Sequence, residues 1–90
     1  MRSRSARSRG RAEVERLIQV VEAARREKDI SQRALARALG LHEMTVMRFV
    51  NGERTLDVLE FIDVCRELGK DPCEMLRLVL EVRNSGSEAS

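Results

Sequence analysis

Ninety residues, 42% hydrophobic and 36% charged, with two Phe and no Trp or Tyr, make one soluble domain and leave no room for a second. A net charge of +2 is too small to argue for an anionic partner, and no apolar run approaches the roughly 20 residues of a membrane-spanning helix. One His and two widely spaced Cys carry no metal signature, so no metal, cofactor or small-molecule ligand is expected.

The distribution of charge says more than its sum. Met1 to Arg11 holds five Arg and no acid, Arg25 to Arg54 carries +3, and Thr55 to Ser90 carries −4. Such polarity suits one face turned to an anionic partner and another turned elsewhere. Residues 2–10, RSRSARSRG, are of low complexity, and residues 1–11 are expected to form a disordered basic arm. Arg7, Arg9 and Arg11 suit it to lie along phosphates; no apolar segment follows that would make it a signal peptide. Cys65 and Cys73, both within predicted helices, are read as buried thiols in a reducing cytoplasm.

From about Ala12 to Arg26, Val14, Leu17, Ile18, Val21 and Ala24 recur at helical spacing, with Glu15, Arg16 and Glu22 on the other side. Ser31 is placed to cap a second helix, Gln32 to Leu39, which Gly40 ends because it adopts positive φ at little cost. A third helix spans Glu43 to Val50, with Val46 and Phe49 inward, and stops at Asn51-Gly52. The fourth, about Leu56 to Leu68, offers Leu56, Leu59, Ile62, Cys65 and Leu68 as its core face. The fifth opens on Asp71, Pro72 and Glu74, the pattern of a capping box with Pro at the first helical position, and runs to about Val82. A polar tail, residues 84–90, follows the domain of residues 12–83.

The informative stretch is residues 32–51, QRALARALGLHEMTVMRFVN. Two eight-residue helices are joined by a tight turn at Gly40-Leu41-His42. Leu35, Leu39, Leu41, Val46 and Phe49 are apolar where the helices share a core, and Ala36 is small where they cross. With Ile30-Ser31-Gln32, Gly52-Glu53-Arg54 and Leu68-Gly69-Lys70-Asp71-Pro72 in register around it, the chain resembles the Cro/repressor class of helix-turn-helix regulators, the lambda-repressor-like or Xre type. The resemblance covers about residues 13–80. It implies an all-α, five-helix domain that binds double-stranded DNA and regulates transcription, with the third helix in the major groove. Carried over by position, His42, Glu43, Met44, Met47 and Arg48 would read bases. Gln32 would donate to a phosphate at the start of the second helix, and Thr45, Asn51, Arg54 and Thr55 would contact the backbone. Arg48 suits guanine O6 and N7, Glu43 suits cytosine N4, and the two Met suit thymine methyls. His42 is a poorer cap than the usual Ser or Thr and is assigned to the groove. Where many relatives carry an acid, this chain has Val50, so Arg25 must find another acid or stay solvated.

The fifth helix, MLRLVLEV over residues 75–82, is apolar almost all round. Leu76, Val79 and Leu80 are assigned to the core, leaving Met75, Leu78 and Val82 for a second copy of the chain. A two-fold dimer suits a palindromic operator. The second reading is a protein-interaction module on the same fold, with the Met-bearing third helix as its docking face. An enzyme is not expected, because no nucleophile–base constellation or phosphate-cradling Gly loop is present.

Overall fold

The structure, a computed structural model, describes the backbone of residues 2–89 and the side chains of residues 10–81. It contains α1 (Arg2–Lys28), α2 (Gln32–Leu39), α3 (Glu43–Val50), α4 (Val58–Glu67) and α5 (Pro72–Ala89). The bounds of α2 and α3 are those expected from the sequence. α1 starts earlier than Ala12 and α5 runs past Val82, so the helical backbone extends into both segments read as arm and tail. In α1, Ala and Arg are good helix formers, and its single glycine, Gly10, costs only about 1 kcal/mol in a helix interior. Of the disordered arm expected over residues 1–11, the side chains of residues 1–9 lie outside the described residues.

Local signals set the joints. α1 ends at Asp29, which takes the left-handed conformation (φ 59°), one of the few non-Gly residues to do so readily. Ser31 Oγ then accepts from the Ala34 N–H at 3.0 Å and caps α2. Gly40 (φ 70°) closes α2 by donating its N–H to the Arg37 carbonyl, while Leu41 N–H returns to Ala36. A Cβ at Gly40 would meet nothing within 4 Å, so the demand there is purely one of backbone conformation. Gly40→Val is therefore expected to cost about 1–3 kcal/mol from strain, with Gly40→Asn recovering most of it. Urea denaturation of the two variants checks this; equal losses would mean the turn does not depend on positive φ.

The capping box expected at α5 stands elsewhere. Asp71 Oδ1 does accept from the Cys73 N–H at 3.1 Å, but the reciprocal exchange is made at α4. There Asp57 Oδ1 accepts from the Glu60 N–H at 2.7 Å, and Glu60 Oε1 accepts from the Asp57 N–H at 3.0 Å. That box sets the start of α4 at Val58, and the inner face of the helix is Val64, Cys65 and, at its end, Leu68. Leu59, assigned to the core, is instead 72% exposed.

α1 packs along α5, α2 on α3 and α4, and α4 on α5. The core gathers Val20, Val21 and Ala24 of α1, Leu35 of α2, Phe49 of α3, Val64, Cys65 and Leu68 around α4, and Met75 and Val79 of α5. Met75 therefore belongs to the interior, whereas Leu76 and Leu80 point outward. An i, i+4 pair shares one helical face, and on a helix apolar all round the packing of α1 and α4 selects Met75/Val79. Cys65 is fully buried, and burial pushes its thiol up to about 11, so it packs as a neutral apolar group. Cys73, also read as buried, is exposed in the first turn of α5.

Glu22, placed on the solvent side from its charge, is buried beside Arg25. Arg25 Nε and Nη2 donate to its two carboxylate oxygens at 2.8 and 2.9 Å, and Nη1 donates to the Ile30 carbonyl at 2.7 Å. Arg25 thus finds its acid one turn back in α1 rather than on α3. The bidentate bond holds the Glu22 carboxyl below the usual glutamate range, burial opposes it, and Gln32 at the start of α2 adds to the lowering.

Candidate nucleic-acid interface

α2, the Gly40 turn and α3 present one continuous surface. α3 buries Val46 and Phe49 and turns Met44 (55% exposed) and Met47 (40% exposed) to solvent. Arg48 joins them, four residues on from Met44; its carbonyl accepts from the Glu53 N–H, and its guanidinium makes no hydrogen bond or ion pair among the described residues. His42 precedes α3 in extended conformation (φ −73°, ψ 144°) and makes no side-chain cap. The α3 N-terminus therefore leaves backbone N–H groups uncapped by that side chain, at the end of a helix that favours anions.

The remaining sequence-derived positions fall unevenly. Thr45 is half-buried against the core, and Asn51 and Thr55 are exposed beyond the end of α3. Gln32 is half-buried and leans toward Glu22. Arg54 is held within the fold: Nη2 donates to Glu60 Oε2 at 2.7 Å and Nη1 to the Thr55 carbonyl at 3.1 Å. That bond lowers the Glu60 pKa and raises that of Arg54, so this guanidinium is oriented before any ligand arrives. Arg11 lies on α1 in a loose, exposed pair with Glu15 at 3.6 Å. Arg7 and Arg9, and Val82 of the expected dimer face, lie outside the described side chains.

One participant was missed in the sequence. Arg33, in the first turn of α2, donates through Nε to Glu43 Oε1 at 3.2 Å, joining α2 to the first residue of α3. The usable signal was the architecture: in a helix-turn-helix the second helix rises beside the first, so charges ten residues apart can meet.

Two short helices joined by a left-handed glycine, backed by three supporting helices, define a helix-turn-helix domain. A helix-turn-helix family model matches residues 21–75. Among solved structures the chain is similar to an XRE-family like protein from Pseudomonas syringae pv. tomato str. DC3000, with 35% identity and a TM-score of 0.75 over 83% of this chain and 92% of that one. It shares its fold with the clp gene regulator ClgR from Corynebacterium glutamicum, at 18% identity and a TM-score of 0.72 over 86% of this chain and 83% of that one. Comparison with curated proteins gives no match. The chain belongs to the XRE-type helix-turn-helix family, and it is a DNA-binding transcriptional regulator. No helix among the described residues is long and apolar enough to cross a membrane.

Proposed function

We propose that the protein binds a palindromic operator in the cytoplasm as a homodimer, placing α3 in the major groove, and represses transcription or regulates its own gene. The observation that carries this reading is the solvent face of α3, where Met44, Met47 and Arg48 stand without partners in the fold while Val46 and Phe49 anchor the opposite face. Arg48 is assigned to a guanine, Met44 and Met47 to thymine methyls, and His42 to the groove or an adjacent phosphate. Gln32, Thr45, Asn51 and Thr55 flank that helix as backbone contacts. Arg54, oriented by Glu60, approaches a phosphate with the donors that Glu60 and Thr55 leave over. Arg7, Arg9 and Arg11 add sequence-independent attraction.

The second copy is assigned to the outer faces of α4 and α5. Val58 and Leu76 line one groove of about 330 Å³ with Leu17 and Phe61. Leu80 extends the same strip of α5 by one turn, and Leu59 lies beside Val58. Of the face read from the sequence, Met75 drops out because it is buried, and Leu78 is exposed as that reading requires.

Selection from random duplexes should return a two-fold symmetric site, and Arg48→Ala should lose about 1–3 kcal/mol of discrimination at one base pair per half-site. Equal loss on every duplex would make Arg48 a phosphate contact only. The exposed Met pair also supports a docking face for a protein; binding that does not survive competitor DNA would favour that reading.

A further inference from the structure

We propose that Arg33 is a positioning residue for base reading: it holds Glu43 so that one carboxylate oxygen accepts from a base amino group in the major groove. The inference rests on the reading of α3 as the groove helix. Glu43 is the first residue of α3, and helices docked in this way contact base edges through their N-terminal residues. A free carboxylate there would face phosphates and weaken binding. Arg33 offsets that charge from α2, using Nε on Oε1 at 3.2 Å. Glu43 Oε2 and the two terminal nitrogens of Arg33 have no bond among the described residues. One guanidinium can therefore span the Glu43 carboxylate and a DNA phosphate, while Oε2 takes an amino hydrogen of cytosine N4 or adenine N6.

The pair does little for folding. The Arg33 side chain is 71% and that of Glu43 44% exposed, and ion pairs at such positions contribute next to nothing to stability. Its consequence lies in recognition, where bound DNA excludes water from the same groups.

The full-length chain is titrated against a selected site whose base pairs are varied one at a time, with Arg33→Ala, Arg33→Lys, Glu43→Ala and the Arg33→Ala/Glu43→Ala double variant. The wild type should prefer an amino-bearing base about three- to tenfold at one position per half-site, the worth of one hydrogen bond. Glu43→Ala and Arg33→Ala should each flatten that preference, the double variant no further, and Arg33→Lys should keep part of it. All should melt with the wild type. If Arg33→Ala weakens every duplex equally and leaves the preference intact, Arg33 is a phosphate contact and the proposal falls alone. If the wild type has no base preference even where Arg48→Ala should remove one, the groove reading of α3 falls and takes this proposal with it.

Discussion

Arg25→Ala should destabilise the protein by roughly 3 kcal/mol at neutral pH, near the lower end of what removing one partner of a buried ion pair costs. The Arg25 and Glu22 side chains are only 14% and 10% exposed, and their bond is bidentate. Truncating Arg25 strands the Glu22 carboxylate with only Gln32 and the more distant Arg26 charge to favour it. It also releases the Ile30 carbonyl just before the α2 cap. Replacing both residues together, as Glu22→Leu/Arg25→Met, should recover most of the loss, because an apolar pair of similar volume leaves no charge to desolvate.

The pH dependence of the same variant has a definite sign. In the wild type the folded pKa of Glu22 is depressed. Its contribution is therefore complete above the unfolded value, about 4.3, and is lost as pH falls through the lower folded value. In Arg25→Ala the main cause of depression is gone and burial raises the group instead. Protonation then relieves the variant while it penalises the wild type, and the stability gap should narrow between pH 7 and pH 4. Urea denaturation at pH 7, 5 and 4 measures it. A gap independent of pH would show that Arg25 acts through packing and the Ile30 carbonyl alone.

α2 and α3 could be read to the residue because short-range signals bound them: Ser31 and Gly40 on one, the tight turn from Gly40 and Asn51-Gly52 on the other. The core faces of α4 and α5 could not. Leu59, Ile62, Cys65 and Leu68 are spaced by three, and steps of three drift round a helix of 3.6 residues per turn, so Leu59 lies on the side opposite the buried Leu68. On α5 nearly every candidate is apolar, so periodicity cannot choose between Met75/Val79 and Leu76/Leu80; contact with α1 and α4 does. Glu22 was hidden for the opposite reason, since a charge reads as exposed until its partner is placed. In the interface, the exposed positions of α3 were legible because Val46 and Phe49 fix its inner face. The Arg33–Glu43 and Arg54–Glu60 pairs were not, because each spans two elements whose relative placement no local pattern encodes.

Leu76→Asp and Val58→Asp should each convert a dimer to a monomer and lower affinity for a two-half-site operator by about 100-fold or more. That is the scale of avidity gained when two linked modules bind together. A two-fold interface meets each side chain with the same patch of the partner, so one substitution introduces two carboxylates into an apolar contact with no counter-charge to accept them. Leu76 is 49% and Val58 73% exposed, so neither is needed to fill the monomer core. Val58 is moreover the first residue of α4, where a carboxylate interacts favourably with the helix dipole. Any loss in Val58→Asp is thus unlike the damage expected from a core lesion. Far-UV circular dichroism and melting of the monomeric variants should match a wild type diluted below its dimer dissociation constant. Binding to a single half-site should be unchanged, because α2, the Gly40 turn and α3 are untouched. Sedimentation of both variants beside the wild type, with titration of whole and half operators, measures each step. A wild type that stays monomeric at high micromolar concentration and on DNA would sink the dimer. Variants that remain dimeric would move the interface to Leu78 and the later turns of α5.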